Sequence, residues 1–157
     1  MSKSDLAQRV ELRPPASPAE WAAYYALRHT VLRAPWGQSP ASAHLPDDAD
    51  PSTLHVAAFV PEAGLIGCGR AHWLAAGTAQ VRLMAVAPDW EGQGVGRAIL
   101  QWLEAEAARR GARRMVLEAR EAAVAFYRRC GYAAMGPGHV LFGSIRHVRM
   151  ERNLAGA

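Results

Sequence analysis

Three glycines at alternate positions constrain this chain more than any other feature of its sequence. Gly92, Gly94 and Gly96 lead directly into a segment with the apolar spacing of an amphipathic helix, which begins near Val95 and ends at Gly111. Three glycines lose much chain entropy on folding, and a plain turn would rarely require all of them. Freed backbone N–H groups at a helix N-terminus bind anions. The loop therefore predicts a pyrophosphate site, with a ligand-free turn as the alternative.

Two common phosphate-binding loops do not match this segment. A dinucleotide fingerprint needs G-x-G-x-x-G or a final Ala, but the final position is Arg97 when counted from Gly92 and Ile99 when counted from Gly94. A Walker A loop needs a lysine near its end, whereas the only lysine of the chain is Lys3. The predicted ligand is therefore neither a nicotinamide dinucleotide nor a nucleotide held by a Walker A loop.

Apolar periodicity and turn signals give the order of the first elements. A short strand around Val10 and Leu12 precedes a helix that begins with Ser17 as its N-cap and ends before Pro35. Residues 35–52 are rich in Pro, Ser and Asp and predict a mobile loop with a turn of helix.

The remaining elements predict the fold class. Three apolar runs joined by turns predict an antiparallel meander over residues 55–60, 65–74 and 79–86. After the glycine loop and its helix come a buried strand at 113–119, a short helix at 122–129 and two weak strands at 132–135 and 146–150. A strand, helix and strand in succession make a right-handed crossover to a parallel neighbour. We therefore expect an α/β (α+β) fold with a mixed, mostly antiparallel central sheet flanked by helices.

Length and composition limit the class of protein. The chain has 157 residues, half of them apolar, and we expect one domain over residues 1–157. The first 13 residues have no apolar core of a signal peptide, and no run of about 18 apolar residues occurs, so we expect a cytoplasmic protein that does not enter a membrane. Cys68 and Cys130 lack the spacing of zinc ligands, so we expect reduced thiols and no metal site.

The positive charge of the chain does not favour a nucleic-acid partner. Lys and Arg together number 18 against 14 Asp and Glu, and almost all of the positive residues are scattered arginines. The short basic clusters lie near two predicted helix ends, where cations are favourable on dipole grounds alone. An excess of positive charge also suits an anionic small ligand.

Two motifs resemble those of one enzyme superfamily. The stretch LMAVAPDWEGQGVGRAIL resembles the acyl-CoA-binding motif of the GNAT superfamily of N-acyltransferases, and AVAFYRRCGY resembles the next motif of the same superfamily. The order of elements fits a GNAT-like fold over nearly the whole chain. IRHVRM near the C-terminus is similar to a strand of small bacterial ElaA-like members. The resemblance implies an acetyl-CoA-dependent N-acetyltransferase.

The resemblance also implies where acetyl-CoA binds as cosubstrate. In this superfamily the main chain of the strand before the loop pairs with the pantetheine arm, as an added strand would. The phosphate loop, usually [RQ]-x-x-G-x-[GA], falls on residues 91–96, with Glu91 where Arg or Gln is usual. The residues expected to bind acetyl-CoA are Met84, Ala85, Val86, Gly92, Gln93, Gly94, Val95, Gly96 and Arg97.

Acetyl transfer to an amine needs the amine in its neutral form. A lysine-like amine with a pKa of about 10.4 is neutral in roughly one molecule in 2,500 at pH 7, a penalty of about 4.6 kcal/mol. The resemblance places the acid that protonates the leaving thiolate at Tyr127, for which a packing role is the alternative. Glu118 is the candidate base, with His72 or a water molecule as alternatives. His147 is a candidate for the acceptor pocket, but a partly exposed position on the strand is the favoured alternative.

The identity of the acceptor is not set by these motifs. In such folds specificity depends on the first helix, the loop that follows it and the C-terminal strands. Candidate pocket residues are Trp36, Trp73 and His44, for each of which a packing role is an equal alternative. We expect a small-molecule or peptide amine, and no acidic cluster indicates a polyamine. A catalytically inactive acyl-CoA-binding module and a nucleic-acid binder are the other two classes, and the assembly, with a homodimer as one option, stays open.

Overall fold

The computed structural model of the protein describes Leu6 and residues 9–154. Residues 1–5 and 7–8, part of the segment in which the sequence predicts no signal peptide, lie outside the described residues, as do residues 155–157. The helices are α1 (Pro18–Leu32), α2 (Val95–Arg109) and α3 (Val124–Arg129). The strands are β1 (Glu11–Arg13), β2 (Leu54–Val60), β3 (Gly64–Ala75), β4 (Thr78–Val86), β5 (Arg114–Arg120), β6 (Ala133–Leu141) and β7 (Ile145–Asn153).

The strands form one seven-stranded sheet in the order β1-β2-β3-β4-β5-β7-β6. The pairing of β4 with β5 is parallel, and all other neighbouring strands in the described chain pair antiparallel. The parallel pair arises because α2 carries the chain from the end of β4 back to the start of β5. The predicted mixed, mostly antiparallel sheet flanked by helices is confirmed.

Local signals in the sequence fix the ends of the helices. Ser17 caps α1, since its side-chain oxygen accepts a hydrogen bond from the N–H of Glu20 at 3.1 Å. The helix ends at Leu32, before Pro35, as predicted. Beyond the end of α2, Gly111 adopts a φ of +102°, a left-handed conformation that glycine reaches without a steric penalty.

Helix α2 packs closely against one face of the sheet. Ile99 and Leu103 of α2 are fully buried in the main core. A Cβ atom at Gly67 or Gly69 of β3 would lie 2.7 or 2.8 Å from side-chain carbons of Ile99. These glycines therefore allow the helix to approach the strand closely.

Helix α1 covers the opposite face of the sheet, where a buried polar network fixes the segment that follows it. Residues 35–52 form a loop, as predicted, but it contains two complete 3₁₀ turns, Pro40–Ala43 and Pro46–Ala49, where one turn of helix was expected. Asp48 pairs with two fully buried arginines, Arg28 of α1 at 2.8 Å and Arg70 of β3 at 2.6 Å. Asp48 thus anchors the segment to both the helix and the sheet.

The buried network keeps the carboxyl group of Asp48 ionised. Burial alone would raise the pKa of Asp48, but a hydrogen bond from the N–H of Leu45 and the two arginines hold that pKa well below its ordinary value.

In the described part of the chain, no helix is both long and apolar enough to cross a membrane.

Candidate active site

The sheet opens between β4 and β5. The two strands pair only over residues 78–81 and 114–117, although β4 continues to Val86 and β5 to Arg120. An irregularity in the pairing of β3 with β4 accompanies the opening, where Leu83 has a φ of +56°. The edge of β4 over residues 84–86 therefore lacks a strand partner on the side of β5, as the predicted pairing with a pantetheine arm requires.

A cleft of about 670 Å³ begins at this opening and reaches the glycine loop. Of the nine residues predicted to bind acetyl-CoA, eight line it: Met84, Ala85, Val86, Gly92, Gly94, Val95, Gly96 and Arg97. Gln93 is not among its lining residues, and its side-chain amide donates to the carbonyl of Asp89 at 3.3 Å. The sequence therefore located the walls of one continuous cleft.

The glycine loop presents positive charge to this cleft. Gly92 and Gly94 have φ values of +73° and +90°, conformations that strain any side chain with a Cβ atom. The N-terminus of α2, which has N–H groups without partners within the helix, begins directly after Gly94. Arg97 and Arg129 line the same end of the cleft. Glu91 lines it too, but its side chain is exposed and free to turn towards solvent.

A smaller pocket of about 160 Å³ adjoins the cleft. It lies between the end of α1, the second half of β4, the end of β5 and the hairpin of β6 and β7. Five residues line both spaces: Leu32, Met84, Arg120, Ala123 and Tyr127. A ligand in the cleft and a second ligand in the pocket would therefore meet beside these residues.

Tyr127 lies at this junction. Its ring makes edge-to-face contacts with Phe126 and Tyr132, at centroid distances of 5.0 and 5.9 Å. Its hydroxyl has no hydrogen-bond partner among the described residues. Burial raises the pKa of Tyr127, so the hydroxyl keeps its proton at neutral pH. The group can therefore donate a proton or a hydrogen bond to a ligand in either space.

Glu118 lines the smaller pocket together with two histidines. Its Oε1 accepts a hydrogen bond from the backbone N–H of His139 at 2.9 Å, and its Oε2 lies 2.6 Å from His139 Nδ1. The ring of His139 stacks on that of His147 at 4.2 Å. Burial acts to raise the pKa of Glu118, but the hydrogen bonds from His139 hold it below its ordinary value. The carboxylate is therefore ionised at neutral pH and orients the imidazole.

The sequence did not indicate His139. The close approach of its strand depends on Gly138, where a Cβ atom would lie 2.6 Å from Glu118 Oε1 and 3.1 Å from His147 Cβ. A histidine directly after Gly-Pro-Gly in a strand is the signal that marks this position. His147 is buried and lines the pocket, whereas the sequence favoured a partly exposed strand position for it.

Other candidates for the site lie elsewhere. His72, the alternative base, is absent from the walls of both spaces, and its buried Nδ1 has no hydrogen-bond partner in the described chain. Trp73 donates to the carbonyl of Ser52, and His44 stacks on a tyrosine ring of α1. Trp36 lies under the guanidinium of Arg120, 4.3 Å from it, but lines neither space. Of the two roles considered for Trp36, Trp73 and His44, their contacts support packing on the surrounding framework and not a place in the pocket walls.

The amino-acid sequence of the chain matches the model of one protein family. The model of the acetyltransferase (GNAT) family matches residues 21–132, more than half of the chain. The chain belongs to the GNAT acetyltransferase family. The matched range includes the cleft, the glycine loop and Tyr127, so the resemblance of the two motifs is confirmed.

Solved structures share the GNAT fold over nearly the full chain. A Lactobacillus plantarum protein provisionally assigned as an N-acetyltransferase is 26% identical, with a TM-score of 0.80, and the match covers 93% of this chain and 99% of that one. Aminoglycoside 6'-N-acetyltransferase complexed with coenzyme A is 17% identical, with a TM-score of 0.78 and coverages of 94% and 98%. Escherichia coli ElaA is 15% identical, with a TM-score of 0.69 and coverages of 91% and 99%.

Proposed function

We propose that this GNAT protein transfers an acetyl group directly from acetyl-CoA to a primary amine of a small molecule or peptide. The observation that carries the proposal is the meeting of two spaces at Tyr127, one large enough for an acyl-CoA arm and one small and lined by polar side chains. Direct transfer requires both reactants to lie side by side at the reacting atoms, which such a junction provides.

Acetyl-CoA occupies the larger cleft in this proposal. The unpaired edge of β4 at Met84, Ala85 and Val86 binds the pantetheine arm, and the glycine loop with the N-terminus of α2 binds the pyrophosphate. The aminoglycoside acetyltransferase of the same fold is complexed with coenzyme A, which supports an acyl-CoA as the ligand. The resulting position of the thioester is beside Tyr127.

The chemistry follows from the residues at the junction. The amine nitrogen attacks the thioester carbonyl, its N–C bond forms, and the C–S bond breaks. Glu118, directly or through His139, accepts the proton from the amine, and Tyr127 protonates the departing thiolate of coenzyme A. The smaller pocket holds the acceptor, with His147 as one of its walls.

We further propose that residues 1–157 form one catalytic domain and that the enzyme works in the cytoplasm. The cysteines Cys68 and Cys130 are both free, which fits a reducing compartment.

The experiment is to measure thiol release from acetyl-CoA over a panel of amines, with acetyl-CoA binding followed by thermal unfolding. We expect acetyl-CoA to raise the melting temperature, whereas NADH and ATP at equal concentration do not, and at least one amine to release thiol. Binding of acetyl-CoA without acetylation of any amine in the panel would favour the inactive acyl-CoA-binding module. Equal stabilisation by NADH would overturn the assignment of the cleft.

A further inference from the structure

Three arginines from different elements line the smaller pocket. Arg33 follows the end of α1, Arg82 lies on β4, and Arg120 ends β5. Arg33 and Arg82 line the smaller pocket but not the acetyl-CoA cleft, which has Arg97 and Arg129 at its phosphate end. The positive charge of Arg33 and Arg82 is therefore separate from the charge that serves the coenzyme.

None of the three arginines has an acidic partner among residues 9–154. Arg33 donates from Nε and Nη1 to the carbonyls of Ser42 and Leu32, and Arg120 donates from Nη2 to the carbonyl of Leu32. Arg82 is exposed, and its side chain makes no hydrogen bond with the described residues. A guanidinium has five N–H donors, so each of the three keeps several of them available for a ligand.

The arginines are close enough to affect one another. Arg33 is only 6% exposed, and burial followed by the positive charges of Arg120 and Arg82 lowers its pKa. Burial likewise lowers the pKa of Arg120. Buried positive charge of this kind is unfavourable until an anion is bound between the groups, and Arg fits carboxylates and phosphates with paired hydrogen bonds.

Among the described residues, Glu118 is the one acidic side chain that lines the pocket, and it forms no ion pair with the three arginines. Both oxygens of Glu118 are bound to His139, as described above. The volume of about 160 Å³ is close to that of an engineered cavity of about 150 Å³ that binds benzene. The pocket thus fits a compact acceptor with a negative group and does not fit a polyamine.

We propose that the acceptor is a small amine that also carries a carboxylate or phosphate group, and that Arg33, Arg82 and Arg120 bind this anionic group. The proposal rests on the proposed acetyl transfer, because it assigns the smaller pocket to the acceptor. The anion would hold the molecule at one end of the pocket while its amine faces Glu118, His139 and the thioester.

The test compares matched pairs of acceptors. Small α-amino acids and small amines bearing a phosphate are each compared with a neutral partner, the amino acid amide or the amino alcohol. Conversion to the amide removes the negative charge and makes the amine easier to deprotonate, so the chemical step alone would favour the amide. We expect the anionic member of at least one pair to have a kcat/KM at least about tenfold higher, and the pair that responds identifies the anion as carboxylate or phosphate.

Variants connect this preference to the arginines. Arg82→Met removes an exposed side chain without hydrogen bonds, so folding should be preserved. It should raise the KM of the anionic acceptor at least about tenfold more than the KM of its neutral partner. Acetyl-CoA affinity should not change, because Arg82 does not line the larger cleft. Arg113→Met, at an exposed position outside both spaces, is the control and should change none of these. Arg82→Glu should lower the kcat/KM of the anionic acceptor further, because it places a negative charge in the pocket.

Calorimetry separates this proposal from the transfer reaction. The same pairs are titrated into protein saturated with coenzyme A, which requires no turnover. Binding of the anionic member that weakens in Arg82→Met, without acetylation, would support the anion site and contradict the transferase function. Equal binding or reaction of neutral and anionic members, a preference for polyamines, or no binding of either anionic class would overturn the anion site.

Discussion

The substitution Tyr127→Phe separates catalysis from folding. If the hydroxyl protonates the departing thiolate, its loss should lower kcat by about 10² to 10⁴, which corresponds to about 2.7 to 5.4 kcal/mol of transition-state stabilisation. The free energy of unfolding should change by less than about 0.5 kcal/mol, because the hydroxyl has no partner to lose among the described residues and phenylalanine fills the same space. Acetyl-CoA affinity should stay nearly unchanged, since the contact strengthens only in the transition state.

A second tyrosine in contact with the first supplies the control. The hydroxyl of Tyr132 donates to Glu104 Oε2 at 2.7 Å in a buried environment. Tyr132→Phe should therefore lower the free energy of unfolding by about 1.5 to 3 kcal/mol, the range for hydrogen bonds to charged groups, and leave kcat within a few-fold. The assay is thiol release for kcat, calorimetry for acetyl-CoA and urea unfolding for stability. If Tyr127→Phe keeps full turnover, or behaves like Tyr132→Phe, the acid role of Tyr127 is refuted.

The other predictions concern the loop, the network and the base. Gly94→Val should lower acetyl-CoA affinity at least about tenfold, or 1.4 kcal/mol, whereas Gly77→Val, with a similar positive φ in the turn before β4, should not; equal losses in calorimetry would contradict a phosphate role. Asp48→Asn should destabilise the fold by about 3–5 kcal/mol, because it leaves the buried Arg28 without a carboxylate partner, whereas Arg70 keeps its ion pair with Asp47. The folded state depresses the pKa of Asp48, so the stability that its charge contributes is present above pH about 4 and is lost as the pH falls below that value. Urea unfolding midpoints from pH 3 to 7 measure this loss in the wild type and the destabilisation of the variant. A wild-type midpoint that does not change with pH would contradict the role of the Asp48 charge. Glu118→Gln and His139→Asn should each lower kcat/KM by about 10² to 10⁴ for a lysine-like amine and less for an amine with a pKa of about 8, and an effect independent of amine pKa would exclude a base role.

The elements around the glycine loop were predictable because their signals are local. The spacing of Ile99 and Leu103, the cap at Ser17 and the glycine at 111 each act within a few residues, and the structure follows them. The crossover rule then sufficed to make β4 and β5 parallel neighbours. One wall of the cleft proposed to bind acetyl-CoA follows from the same elements, since the end of β4 and the start of α2 form it.

The segment 35–52 and the walls of the smaller pocket depend on contacts between residues that are far apart in sequence. Asp48 meets arginines 20 and 22 residues away in sequence, so the Pro, Ser and Asp content of residues 35–52 indicated only a loop. The strand β6 extends well past the predicted end at residue 135, because its register shifts around Gly136 and Pro137 interrupt the alternating pattern. Those shifts bring His139 to Glu118, 21 residues earlier, a contact that no local pattern contains.

The central claim is that acetyl-CoA and the acceptor meet at Tyr127, and a crystal structure with acetyl-CoA tests it most directly. We expect the pantetheine arm to lie along residues 84–86 of β4 and the pyrophosphate to accept hydrogen bonds from the N–H groups of the glycine loop. The thioester sulfur should lie within about 3.5 Å of the Tyr127 hydroxyl, with the smaller pocket open to the amine so that the reacting atoms lie side by side. A coenzyme bound outside this cleft, or a thioester turned away from Tyr127 and the smaller pocket, would contradict it.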